Sequence, residues 1–108
     1  MIENEKILCA AIWYKELDKL SPKWDTLLRP VNVKEGIVLC GYRHPHCMYQ
    51  MIAITGKRSV LVECGEYVQG FLTSTNRFVD REEGARIHVA NGNKLNYSTK
   101  ELFSEDLY

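Results

Sequence analysis

The chain has 108 residues, a length that predicts a single domain over residues 1–108 with one modest hydrophobic core. Its 14 lysines and arginines balance 14 aspartates and glutamates, and this neutral balance argues against binding of duplex nucleic acid. The sequence has no run of about 18 apolar residues, so no membrane span is expected. Because acidic residues precede the first apolar stretch, the start of the chain is unlike a secretory signal. We therefore expect a cytoplasmic protein with four reduced cysteines.

Two apolar stretches rich in strand-forming residues lie in the first half of the chain. They predict a first strand at residues 6–14 and a second at residues 36–42. The segment between them, residues 15–35, is polar and contains two prolines, so it predicts a loop with at most one helical turn, at residues 21–28. The second strand is apolar throughout, which is typical of a strand covered on both faces.

Two helices are predicted. Pro45 fits the first turn of one helix, where a missing backbone N–H costs nothing, and Gly56 fits the residue that ends it. The second helix is expected to begin after the N-cap candidate Asp80 and to end before Gly92. Side chains at helical spacing support the first helix: Met48, Met51, Ile52 and Thr55.

The region between the two helices predicts further strands. Residues 59–73 are typical of one or two strands, interrupted at Gly65 and Gly70, and residues 74–77 are typical of a turn. All the elements together predict an α+β fold. We expect a small antiparallel sheet of four or five strands, packed with two main helices.

The heptapeptide GYRHPHC, residues 41–47, concentrates reactive side chains at the turn between the second strand and the first helix. A zinc site is one interpretation, but structural zinc sites draw pairs of ligands from separate segments, and here all candidates fall in one short stretch. A cysteine nucleophile is another interpretation, because a helix N-terminus lowers the pKa of a thiol. No orienting carboxylate or oxyanion hole is evident nearby. The candidate ligands and nucleophile are Cys40, His44, His46 and Cys47.

An anion site suits this turn better than a metal or a nucleophile. The N-terminus of a helix offers free backbone N–H groups and a partial positive charge. Arg43 and His44 add donors that could be directed at a phosphate. Between Gly41 and Val62 the chain has three basic residues and no acidic one. The simpler alternative is that these side chains cap the helix and meet solvent.

A second strand-to-helix turn repeats the pattern of glycine, aromatic ring, polar turn and arginine. Phe71 and Phe78 could stack on a base, and Asn76 could read an adenine edge. Arg77 and Arg81 could reach phosphates. The alternative is that both phenylalanines belong to the core and that Asn76 is only a turn residue. Spacing alone does not decide between these interpretations.

Three segments carry a family resemblance: CGYRHPHC, QGFLTSTNRFVDREEGARI and the terminal LFSEDLY. They are similar to the first-described family of Thoeris anti-defence proteins, which are small and phage-encoded, and the resemblance covers most of the chain apart from residues 15–35. It implies a homo-oligomer, dimer or hexamer, with pockets at subunit junctions. Such a protein acts as a sponge that binds cyclic ADP-ribose-type signals of TIR-domain enzymes without cleaving them. The resemblance also implies separate sites for cyclic oligonucleotide signals of CBASS, another defence system.

The residues and the resemblance together predict a ligand-binding set and leave two other functions open. We expect no catalytic residue, metal, cofactor or membrane partner. One alternative is a small cyclic-nucleotide hydrolase with His44 or His46 as general acid or base. The other is a protein-binding inhibitor of a host defence enzyme, anchored by exposed aromatic residues. The predicted ligand-binding residues are Arg43, His44, Phe71, Thr73, Asn76, Arg77, Phe78 and Arg81.

Overall fold

The structure, a computed structural model, describes residues 5–15, 29–56 and 66–108. In chain order its elements are β1 (Ile7–Tyr14), β2 (Ile37–Gly41), α1 (His44–Thr55), β3 (Tyr67–Thr73), β4 (Phe78–Asp80), α2 (Arg81–Ala90) and the 3₁₀ helix Ser104–Asp106. The predicted α+β class, a small antiparallel sheet packed with two main helices, is confirmed. The helical turn predicted at residues 21–28 and the interruption at Gly65 lie outside the described residues. Within the described ranges, no helix has the length and hydropathy that crossing a membrane requires.

The four strands form one antiparallel sheet in the order β2-β1-β3-β4. Alternate residues of a strand point to opposite faces of a sheet. On one face, Ile12 and Tyr14 of β1 pack against Met51 of α1. Phe71 of β3 lies on the same face and packs against Ala85 of α2. Both helices therefore cover the same face of the sheet.

The opposite face carries an apolar cluster of its own, built around Ala11, Val33 and Phe78. Trp13 lies edge-on to Phe78, with the ring centroids 5.9 Å apart. The side-chain amide of Asn32 donates to the backbone oxygen of Phe78 at 2.7 Å and accepts its N–H at 2.8 Å. This pair of bonds fastens the segment around Asn32 to β4 and helps to bury the Phe78 ring.

Strand β3 runs without a break through Gly70, so the interruption predicted there is wrong. The glycine is explained by the close approach of β4. A Cβ atom on Gly70 would lie 2.0 Å from the backbone oxygen of Val79 and 2.8 Å from the ring of Phe78. Glycine is required at this position because β4 packs closely against it, and not because the chain turns there.

The sheet register places the starts of the two helices at the same position along the strand direction. Gly41, at the end of β2, pairs with Ala10 of β1, and Asp80, at the end of β4, pairs with Gly70 of β3. Gly70 in turn pairs with Ala11, the neighbour of Ala10. Because each helix begins within three residues of its strand end, both helix N-termini lie over the middle of the sheet.

The predicted ends of the two helices are confirmed. Asp80 caps α2 by accepting the backbone N–H of Glu83 at 2.8 Å. Gly56 adopts a left-handed φ of 73° after α1, and its N–H bonds to the backbone oxygen of Ile52 at 2.8 Å. Helix α2 ends at Ala90, ahead of Gly92, as the sequence predicted.

Candidate functional site

The two strand-to-helix turns singled out in the sequence meet through His44, the first residue of α1. Its ring is buried, with 4% of the residue exposed, and its Nε2 lies 2.8 Å from the backbone oxygen of Gly70. Since a carbonyl oxygen only accepts, Nε2 must carry the proton, and Nδ1 is left as an acceptor. Nδ1 lies 3.5 Å from the guanidinium of Arg81, the first residue of α2. Burial, helped by the nearby charge of Arg81, lowers the pKa of His44, so the ring is held neutral.

Arg81 connects this pair to the last residues of the chain. Its guanidinium donates to the backbone oxygen of Leu102 at 2.9 Å and to the side-chain oxygen of Gln69. It also lies over the ring of Phe103, 4.7 Å from the centroid. Burial lowers the pKa of Arg81, while the carboxylates of Glu101 and Glu105 act in the opposite direction.

Arg43 caps α1 and reaches the same terminal segment. Its guanidinium donates to the backbone oxygens of Ser104 and Tyr108. It lies 4.6 Å from the ring centroid of Tyr42 and 5.3 Å from that of Tyr108. These two rings are stacked, with centroids 4.6 Å apart and planes inclined by 25°, and both are substantially exposed. We call the combined set the arginine cluster: Tyr42, Arg43, His44, Arg81, Phe103 and Tyr108.

The arginine cluster concentrates positive charge. Within the described ranges, neither Arg43 nor Arg81 forms a salt bridge with an aspartate or glutamate side chain. The partners of Arg43 are the main-chain oxygens of Ser104 and Tyr108, and its donors could instead form charge-assisted bonds with an anion. The partial positive charges of two helix N-termini add to the same region. The cluster thus has the electrostatic character of an anion site.

Arg77 lies in a different environment, although the sequence grouped it with Arg81. It donates to both carboxylate oxygens of Glu5, at 2.9 and 2.8 Å, and to Glu83 at 2.9 Å. The hydroxyls of Thr73 and Thr75 also donate to Glu5. The bond from Arg77, with help from these hydroxyls, lowers the pKa of Glu5 to about 2. Two carboxylates therefore compensate the charge of Arg77, and Thr73 serves the same local network.

Phe71, Phe78 and Asn76 do not share a cavity, so that part of the sequence interpretation is wrong. Phe71 is fully buried on the helix-covered face, whereas Phe78 is buried on the opposite face. The register explains the separation, because Phe71 pairs with Val79 while Phe78 pairs with Leu72, one position along each strand. Asn76 lies at the exposed tip of the β3–β4 hairpin with a left-handed φ of 60°. A direct role of Asn76 with a base stays a prediction.

Cys40 and the cysteine and histidines of GYRHPHC point in different directions. Cys40 lies on the face of the sheet opposite α1, whereas Cys47 is fully buried between α1 and β1. Burial raises the pKa of the Cys47 thiol to about 12, which disfavours a thiolate. The Nδ1 of His46 accepts the backbone N–H of Arg43 at 3.1 Å. Among the residues described, no group of three or more histidines, cysteines or acidic residues is arranged to hold a metal ion.

A pocket of about 540 Å³ lies beside the arginine cluster, and Tyr108 lines both. This volume is in the usual range for sites that hold small molecules. Lys6, His88 and Asn93 contribute donors to its wall, while Asp106 contributes a carboxylate. That carboxylate accepts the backbone N–H groups of Asn96 and Phe103, so it also has a structural role.

Sequence reasoning missed three members of the arginine cluster, Tyr42, Phe103 and Tyr108, and also Gln69, which bonds to Arg81. Tyr42 stands next to Arg43 in the heptapeptide and could have been included, since arginine often packs on an exposed ring. Gln69 and Tyr108 could not have been found in this way. Their contacts with Arg81 and Arg43 depend on how distant segments pack, which residue spacing does not reveal.

Comparison with known proteins gives one family. The model of the family described as Phage T4 y16D protein matches residues 6–108, which include the whole arginine cluster. No curated protein and no solved structure matches the chain. The match indicates phage origin, in agreement with the resemblance noted in the sequence. Since it extends over nearly the whole length, the chain belongs to the Phage T4 y16D protein family.

Proposed function

We propose that this phage protein sequesters cyclic nucleotide immune signals without cleaving them, in the cytoplasm of the infected host. The signals are of the cyclic ADP-ribose type used by Thoeris, or cyclic oligonucleotides of CBASS. The sequence resemblance and the phage family support this proposal. The observation that carries it is the meeting of Arg43 and Arg81 at two helix N-termini, with no aspartate or glutamate side chain in a salt bridge with either among the described residues.

The chemistry of the arginine cluster suits a cyclic nucleotide. Such a signal presents phosphates, a base and riboses. Arg43 holds the main-chain oxygens of Ser104 and Tyr108, and a phosphate would form charge-assisted bonds with the same donors. The exposed ring of Tyr42 lies 4.6 Å from this guanidinium and offers an aromatic face for a base.

Binding without cleavage is favoured by the state of the candidate catalytic groups. Both ring nitrogens of His44 face partners within the protein, and its pKa is lowered by burial. Movement of a proton by this ring would first require those bonds to break. The Cys47 thiol, with its pKa near 12, is also a poor nucleophile.

A sponge works by stoichiometry, so it must bind tightly. A signal present near ~100 nM would require a Kd of about 10 nM or lower, or about −11 kcal/mol. Such affinity calls for nearly complete enclosure of the ligand. We therefore propose that the signal is held where subunits of a homo-oligomer, a dimer or hexamer, meet around the arginine cluster.

Titration calorimetry with glycocyclic ADP-ribose tests this proposal. Arg43→Ala should weaken binding by about 2–3 kcal/mol, because charge-assisted bonds to phosphate are lost. Arg86→Ala is the matched control, since Arg86 is an exposed arginine of α2 outside the cluster. Ligand recovered after denaturation should have its original mass. Equal affinities of wild type and Arg43→Ala, or a cleaved ligand, would contradict the proposal.

A further inference from the structure

The contacts of Tyr108 have the form expected of a nucleotide in the arginine cluster. Its ring stacks on Tyr42, in the way that a base stacks on an aromatic side chain. Its backbone oxygen accepts a bond from the Arg43 guanidinium, as a phosphate oxygen would. One residue of the protein therefore fills both an aromatic contact and a cationic contact.

The attachment of the terminal segment differs along its length. Leu102 is fully buried in the core beside Phe71, and Leu107 packs partly against the same cluster. Tyr108 is 47% exposed, and it contacts Tyr42 and Arg43. Displacement of Tyr108 alone would leave the buried anchors in place.

Displacement of Tyr108 would also change the space next to Arg43. Tyr108 lines the pocket of about 540 Å³ in addition to holding the guanidinium. Its departure would expose the stacked face of Tyr42, release one terminal nitrogen of Arg43 and widen the adjoining pocket. The bond from Arg43 to Ser104 would remain and keep the guanidinium oriented.

We propose that Tyr108 is an internal stand-in for the signal. When the signal binds, it displaces Tyr108 and stacks its own base on Tyr42. This inference rests on the proposed function, and it adds a base-contacting residue and an autoinhibitory contact. A phosphate can replace the Tyr108 oxygen because its several oxygens can accept two parallel bonds from the guanidinium. The exchange of one ring for another on Tyr42 keeps that face covered in both states.

Calorimetry with glycocyclic ADP-ribose distinguishes an internal competitor from an ordinary wall residue. Tyr108→Ala should bind about three- to tenfold more tightly than wild type, because no ring has to leave the face of Tyr42 first, although the backbone oxygen at position 108 remains. Tyr42→Ala should bind roughly tenfold or more weakly, because the stacking face is lost. Tyr49→Ala, which removes an exposed tyrosine of α1, should match wild type.

A spectroscopic measurement follows the displacement itself. Ring-labelled tyrosine gives signals from six residues, and Tyr108→Phe assigns the one from Tyr108. Addition of glycocyclic ADP-ribose to wild type should move the Tyr108 signal to the position of an unstacked tyrosine, while that of Tyr49 stays unchanged. If wild type binds the probe but Tyr108→Ala binds equally or more weakly, the stand-in is refuted while the sequestering function survives. If neither protein binds it, both proposals fail.

Discussion

At the scale of single residues, burial separates the aromatic side chains into two groups. Phe71 is fully buried and Phe78 is 6% exposed, whereas Tyr42 and Tyr108 are about half exposed beside Arg43. The buried rings stabilise the fold, and the exposed rings are available to a ligand. The glycine before Phe71 leaves no opening for a ligand to approach that ring, because the space at Gly70 is filled by β4.

Replacement of Phe71 by alanine should lower the free energy of unfolding by about 3–5 kcal/mol, because a large buried ring is removed. Urea denaturation followed by circular dichroism measures this change. Tyr49→Ala is the control for an exposed ring and should lie within about 0.5 kcal/mol of wild type. A Phe71→Ala protein that unfolds like wild type but no longer binds the signal would restore the stacking role.

The neutral state of His44 predicts a dependence of stability on pH. Because burial lowers the pKa of His44 in the folded state, the unfolded chain takes up a proton first as the pH falls. The stabilising contribution of neutral His44 should therefore be complete above about pH 6.5, the ordinary histidine pKa, and decline below it. In urea titrations from about pH 7.5 to about pH 5.5, roughly one unit either side of that value, His44→Gln should lose less stability than wild type. Parallel pH profiles for the two proteins would contradict this account of His44.

At the scale of elements, a tight steric constraint is the approach of β4 to Gly70 of β3. A Cβ atom on Gly70 would overlap the Val79 backbone oxygen, which cannot move without shifting the strand. Gly70→Ala should therefore destabilise the protein by about 1–3 kcal/mol. The same shift would disturb the bond between the Gly70 oxygen and His44, so the β2–α1 turn should also be affected.

Gly84→Ala provides the matched comparison at a second buried glycine. Its Cβ atom would lie 3.0 Å from the Phe71 ring and 3.4 Å from the Leu102 side chain, which are longer distances than at Gly70 and involve side-chain rather than backbone atoms. Alanine also favours a helix by about 1 kcal/mol over glycine. Equilibrium unfolding should therefore show a smaller loss for Gly84→Ala than for Gly70→Ala. The reverse order would mean that β4 is less tightly constrained than its packing indicates.

The elements could be predicted from local patterns because the signals were local. Apolar runs marked β1 and β2, and the cap residue Asp80 and the terminating Gly56 marked helix ends. The convergence of Arg43 with Arg81 could not be predicted, because it depends on the register across four strands. The pairing of Arg77 with Glu5 was missed for a similar reason: the two residues meet only when the β3–β4 hairpin packs beside the start of β1.

At the scale of the whole molecule, neutral net charge coexists with local separation of charge. Acidic residues accompany Arg77, while Arg43 and Arg81 face backbone oxygens and aromatic rings. A protein of this kind can hold a small anion without attracting nucleic acid in general. Enclosure of that anion at a junction between subunits would supply the affinity that sequestration requires.

Native mass spectrometry with and without glycocyclic ADP-ribose tests the central claim most directly, since it reads assembly, stoichiometry and ligand mass together. We predict a homo-oligomer that retains the signal and, after denaturation, releases it with its mass unchanged. The Arg43→Ala protein should assemble in the same way but retain little of the signal. A wild-type protein that retains no signal, or that returns it with the mass of a hydrolysed product, would contradict the account.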